Sequence, residues 1–383
     1  MKLFLILSTS SQVLKLFGLN SEISLLSLAL GLSNVNKKQL VFSTLILLLI
    51  VLSIFIGTVL GESFKLSSLG VSAFTLILIA MTKVDALYNL KPFLIKFAVI
   101  SVYVSVTLSF VDTYFFSLLD ARTNFVLVMN RLTFLFDEPS QYAIFLALVL
   151  HVVDFKREST LNLLTLGCGL LLTWSLSGFL LVAILFLYRR TILFDRKMLQ
   201  GFGFLFCFSI VIVFLWNNYL VNTDFWLVSK VQSIQMLLDG DKNISSVLVR
   251  TTSMFMYVYY ISDAYSSSSF FSFIYGEGYG NLSEWVNAYY FKELNVTTMT
   301  EVNNFISSVI IQNGFHGILL FIIAFYSCFQ SGTVLRPKVI HFLVTIFILA
   351  LFTGNAYGSL AILYYYLSVL VSVELTLQKK QCN

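Results

Sequence analysis

Arg131, Asp137, Glu138 and Gln141 stand close together in "RLTFLFDEPSQ", just ahead of a long apolar run. A guanidinium binds phosphate oxygens in a two-pronged fashion and keeps its charge at any working pH. A carboxylate such as Glu138 can take a proton from a hydroxyl. The same residues also fit a helix start, with Glu138 at the N-cap, Pro139 at the first helical position and Gln141 two positions further on. Capping and the helix dipole account for the two acids, but neither accounts for Arg131. A second arginine, Arg250, precedes the aromatic run "TTSMFMYVYY". It suits either a surface arginine laying its stem on apolar surface or a clamp on a diphosphate.

Two further stretches carry chemistry. In "YGEGYGN", Gly276, Gly278 and Gly280 alternate. The stretch follows no strand of a βαβ unit, so a nucleotide loop is excluded. Glycines there let backbone NH groups approach an anion or a sugar. In "EVNNFISSVIIQNGFHG", Glu301 lies just before a helix that Asn303 or Asn304 can cap, and His316 falls inside the apolar run. An ionisable group inside a membrane is a functional candidate by default. The four cysteines show no metal-ligand or redox spacing. No metal or other cofactor is expected.

Positioning these groups falls to long apolar helices. The chain has 383 residues, of which 58% are hydrophobic and only 11% charged. A soluble protein is near 25% charged, so this is the composition of a polytopic membrane protein. The +5 net charge is spread over short loops and is no nucleic-acid signal. Apolar runs mark spans at 40–60, 66–81, 93–111, 138–153, 199–220, 304–326, 339–354 and 356–374. The stretch 161–188 has basic residues on both flanks and turns at "WSLSG", so it reads as a hairpin of two short helices. The segment before Val35 holds one span or two. We expect an all-α fold of about 10–12 transmembrane helices.

Charge sets the orientation. Fourteen of the 24 Lys and Arg residues fall in loops of one side, among them Lys37, Lys38, Lys83, Lys91, Arg189, Arg190, Lys338 and Lys379. The positive-inside rule places that side and the C-terminus in the cytoplasm. The chain then divides into an N-terminal bundle (1–220), a large, partly helical external loop (221–303) and C-terminal helices with a tail (304–383). "FWLVSKVQSIQMLLDG" in the loop suggests a helix lying on the membrane surface. No internal repeat is visible, which weighs against transporters built from paired halves.

The order of the pieces resembles the O-antigen polymerases of the Wzy type, in the superfamily that also holds the O-antigen ligases. It runs from "RLTFLFDEPSQYA" through a helical hairpin with a central Ser and a large external loop holding an Arg. A glycine-rich turn follows, then "NNFI" with "GFHG" downstream. The resemblance covers roughly residues 40–370. It implies a bacterial inner-membrane glycosyltransferase of GT-C type, facing the periplasm, free of metal and nucleotide. Its substrates would be undecaprenyl-diphosphate-linked oligosaccharides. Its partners would be a flippase and a chain-length regulator. Arg131 and Arg250 then become the diphosphate ligands, and Glu138 and Glu301 the candidate bases. Gly276, Gly278, Gly280, Asn303, Asn304 and His316 would contact substrate. The ligases carry a His before the Asn of the late helix, where this chain reads Asn303-Asn304. Ligase is therefore the alternative, with a polysaccharide flippase or transporter behind it.

Overall fold

The fold is taken from a computed structural model that describes residues 1–9, 29, 36–59, 65–111, 136, 138–154, 158–173, 175–193, 246–266, 270–278, 281–294, 302, 304–332, 337–354 and 356–382. The expected span at 199–220, the surface helix at 225–240, and Arg131, Gly280, Glu301 and Asn303 lie outside these residues. Of Arg250 only the backbone is described.

Among the described residues the chain is helical and has no strand. The N-terminal helices are α1 (Lys2–Thr9), α2 (Lys37–Val59), α3 (Leu66–Met81), α4 (Val84–Asn89), α5 (Lys91–Val111), α6 (Pro139–Val152), α7 (Thr160–Leu172) and α8 (Leu176–Leu193). Then come α9 (Ser246–Ser266), α10 (Phe270–Tyr275), α11 (Leu282–Leu294), α12 (Phe305–Gln330), α13 (Val339–Ala350) and α14 (Ser359–Cys382). The helix starts agree with the apolar runs read from the sequence. The stretch 161–188 does break into two helices, between Leu172 and Leu176.

Among the described residues three helices are long and apolar enough to cross a membrane, at Lys37–Thr58, Phe305–Gln330 and Ser359–Lys379. Their surroundings suit a lipid environment. On α2, Leu40, Val41, Leu48, Val51 and Phe55 face outward while Gln39, Ser43 and Ser53 are buried. A soluble protein arranges these types the other way round. Helix α14 is enclosed on all sides, with 89% of its apolar window buried against 28% for α2. Ser368, Ser372 and Thr376 return their hydroxyls to carbonyls one turn back, so α14 buries them at little cost. Around α14 pack α6, α8, α13 and α1, and α12 joins through α3, α2 and α9. The α7–α8 hairpin lies tightly on α6, where a Cβ on Gly178 would stand 2.5 Å from that of Ala143. Small residues at such a crossing let two backbones approach.

Helix ends from distant parts of the chain meet at one end of the bundle. Gln39 Nε2 donates to the carbonyls of Ala80 and Thr82 at 3.2 and 3.3 Å. Ser327 and Ser331 donate to the same two carbonyls. The last carbonyls of α3 are thereby satisfied without water. Lys91 pairs with Glu374 at 2.6 Å, largely buried. Arg189 reaches the carbonyls of His151 and Val153. The Lys338 NH donates to Thr376 Oγ1. Lys91, Arg189 and Lys338, which the charge pattern put on one side, thus share one end of the bundle.

Candidate functional site

At the opposite end α12 is broken. Gly314 has φ 59° and ψ −156° inside an otherwise helical run, a conformation open in practice only to glycine. About 20 residues of helix cross the hydrocarbon. Counted back from Gln330, that length ends near Ile311, so the break falls where the helix would leave the apolar layer. Gln312 and Asn313 beside it are buried. Asn313 donates from Nδ2 to the Tyr357 hydroxyl, while its Oδ1 is buried with no hydrogen-bond partner among the described residues.

The glycine turn after α10 fills the break. Gly276 has φ 73°, and a Cβ there would meet the backbone of Gln312 and Asn313 at 2.6 Å. The Gly276 NH donates to Ser272 O, and the Glu277 NH donates to Ile311 O at 2.8 Å. At Gly276 the missing side chain therefore serves backbone-to-backbone approach between two segments, and its NH is already engaged. Phe273 packs on Phe315, and Tyr275 on the half-buried His316. The outer turns of α12 are gripped by α9, where Ser307 Oγ donates to Ser253 O at 2.7 Å.

This docking carries Glu277 into a partly buried position between two glycines. Its side chain lies near Tyr260 and Asp263, and the Tyr260 hydroxyl donates to Ser272 O at 2.9 Å. Burial pushes the carboxyl above the usual range; Tyr260 opposes this and the Asp263 charge adds to it. A carboxyl moved toward working pH is suited to general-base work.

A third group lies at the start of α6. Glu138 occupies the N-cap position with φ −136° and ψ 146°, and Pro139 follows at the first helical position. Its side chain does not cap the helix. It accepts instead from Ser140 Oγ at 2.8 Å and is otherwise exposed. The acid is thus not consumed by the cap that its position suggests. Tyr364 donates to Gln141 O at 2.9 Å and ties this corner to α14. The neighbouring Tyr365 packs on Phe305 and Phe321 of α12. Glu138 and the α12 break therefore stand at the same end of the bundle, joined through α14.

Among the sequence candidates, Asn304 is the N-cap of α12, accepting the Ser307 NH at 2.9 Å, and is itself buried. Its side-chain oxygen is occupied by the cap. Asn304→Ala should lower stability by about 1–2 kcal/mol, read as a drop in melting temperature in detergent. Asn304→Ser, which also caps, should restore it. Loss of activity in a fully stable Asn304→Ser protein would point to substrate contact instead. Arg250 lies in the first turns of α9. Gly276, Gly278 and His316 gather at the α12 break. Glu277 was missed by the sequence reading, which weighed the glycines of "YGEGYGN" and passed over the acid between them. The available signal was an acid flanked by two residues that permit close approach. No protein-family model, curated protein or solved structure matches this chain.

Proposed function

We propose that this protein is a metal- and nucleotide-independent glycosyltransferase of the O-antigen polymerase type. In this reading it extends lipid-linked oligosaccharides at the periplasmic face of a bacterial inner membrane. The observation that carries the reading is Glu277: a carboxyl raised by burial, held at a break in an apolar helix, at the end of the bundle away from its basic loops. The order of motifs around "RLTFLFDEPSQYA" supplies the substrate class. Residues 221–303 are then external and the C-terminus cytoplasmic.

The reaction joins an acceptor hydroxyl oxygen to the anomeric carbon of the donor and breaks that carbon's bond to the diphosphate. The hydroxyl proton passes to a carboxylate. Glu277 joins Glu138 and Glu301 as a candidate base, and its environment favours it. The leaving diphosphate carries the charge that Arg131 and Arg250 would neutralise. Arg250 and Tyr260 are ten residues, or about 15 Å of helix, apart. That exceeds the reach of an arginine side chain, so the reading requires the diphosphate and donor sugar to span the interval between Arg250 and Glu277.

The test is the length of surface polysaccharide made in cells by variants of matched expression. Arg250→Lys should give shortened chains, because the two-pronged phosphate contact is lost. Glu138→Gln should do the same while inserting normally. Full-length polymer from both would return Arg250 and Glu138 to surface and helix-start roles. A transporter is the second reading, favoured by the discontinuity at Gly314 with its buried Gln312 and Asn313, since broken helices line transporter sites. It predicts no polymer defect that a supplied, already flipped substrate fails to rescue.

A further inference from the structure

Between α9 and α11 lies a cleft of about 280 Å³ lined by Tyr259, Ser262, Asp263, Ser266, Trp285 and Tyr289. Trp285 and Tyr289, one turn apart on α11, hold their rings nearly parallel, with centroids 5.4 Å apart and an interplanar angle of 11°. Tyr259 of α9 stands opposite, its ring 5.4 Å from that of Tyr289. Tyr260 braces Trp285 edge-on from behind at 5.3 Å. Tyr259 is half exposed, so its ring borders the opening. The Asp263 carboxylate and the hydroxyls of Ser262 and Ser266 stand on the same wall, all exposed.

We propose that this cleft is a saccharide-binding site that takes one pyranose ring. A pyranose has an apolar C–H face and a rim of hydroxyls. Aromatic faces carry the negative lobe of a quadrupole and attract the slightly positive C–H hydrogens. A carboxylate accepts from two hydroxyls at once, and Ser262 both donates and accepts, while Ser266, whose hydroxyl donates to Asp263 O at 2.9 Å, is left to accept. The cleft supplies the two kinds of surface side by side. An aromatic belt at a membrane surface would also gather Tyr and Trp. Such a belt, however, has no reason to bring rings from two helices into contact, or to place a carboxylate among them. An anion is a poor occupant, because the acid in the wall is negative and no cation is among the described residues that line the cleft. Glu277 does not line the cleft, but Asp263 of its wall acts on the Glu277 carboxyl. The cleft and the carboxyl proposed as base thus share Asp263. The inference deepens the polymerase reading by locating its sugar, but glycan binding itself requires no catalysis.

The experiment uses the full chain in detergent micelles on an immobilised panel of pyranose oligosaccharides, with a mannitol-coated surface as control. The wild type should be retained by at least one glycan. Tyr259→Ala and Asp263→Asn should each weaken retention about tenfold, and Tyr259→Phe should keep it. Helix content, read by circular dichroism, should be unchanged in all three, since both residues are exposed. Retention by no glycan overturns the proposal, as does equal retention of all variants. Tyr259→Ala that binds glycan normally but partitions less into phosphatidylcholine vesicles makes the cleft a membrane belt, and equally overturns it. Glycan binding lost in the cleft variants, with polymer of normal length in cells from which the gene is deleted, sinks the polymerase reading and leaves the cleft standing.

Discussion

Glu277→Gln should yield a protein that melts higher than the wild type at neutral pH and makes almost no polymer. Both halves follow from one property of the site. Burial raises the Glu277 carboxyl above its ordinary range, and the nearby Asp263 charge adds to the shift. The folded state then holds this proton more tightly than the unfolded chain. The associated stability is complete below the unfolded value and is lost as pH rises through the folded value. Glutamine has nearly the same shape and no charge to desolvate. The variant should therefore be flatter with pH, and its advantage should grow from the ordinary carboxylate range upward. Activity should move the opposite way. A general base contributes about 10²–10⁴-fold, and glutamine cannot accept the proton. In the wild type the acid limb of the rate profile should lie above that of an unperturbed glutamate, because the working form is the carboxylate. Melting curves across pH and polymer length from matched cells read the two effects separately. A stabilised Glu277→Gln protein with full-length polymer would leave Glu277 a buried acid without a catalytic role. A variant that is neither stabilised nor flattened would mean that burial does not govern the carboxyl.

Gly276→Ala and Gly314→Ala should cause the largest losses of stability, about 2–5 kcal/mol each. Two costs add. Both residues have positive φ, 73° and 59°, where a Cβ is strained. Both also meet backbone, not flexible side chains. A Cβ on Gly276 would lie 2.6 Å from Asn313 N, and one on Gly314 2.3 Å from Ile274 O. Backbone in two packed segments cannot move aside without losing the Glu277 NH to Ile311 O bond. Gly358 supplies the control, since it has φ 97° and nothing within 4 Å of its added Cβ. Gly358→Ala should therefore cost only the strain, about 1–2 kcal/mol. Thermal unfolding in detergent orders the three. Limited proteolysis of the two crowded variants should cut first in 246–294, as α9–α11 come away from α12. Equal melting temperatures for Gly276→Ala and Gly358→Ala would mean that the turn does not hold the break.

Where the helices stand follows from local composition. Twenty apolar residues in a row have few ways to satisfy their backbone in lipid other than a helix. The runs at 40–60, 66–81 and 304–326 therefore announced α2, α3 and α12. Lys156, Arg157, Arg189 and Arg190 on the flanks were enough to split 161–188 into two helices. The N-cap position of Glu138 and the cap made by Asn304 are equally local, because they depend on residues within one turn. Other features depend on which segments meet. The sequence shows a glutamate among glycines, but its raised carboxyl comes from burial, with the Asp263 charge adding to it, and both depend on segments that only the fold brings together. "NGFHG" reads as the middle of a span, yet α12 breaks there because a turn nearly forty residues earlier docks against it. The start of α6 reads as a capped helix entrance; only the fold ties it to α14, through the Tyr364 hydroxyl on Gln141 O. Proton affinity, backbone breaks and side-chain direction are set by neighbours in space. Periodicity and residue type carry no record of those neighbours, so tertiary structure alone decided them.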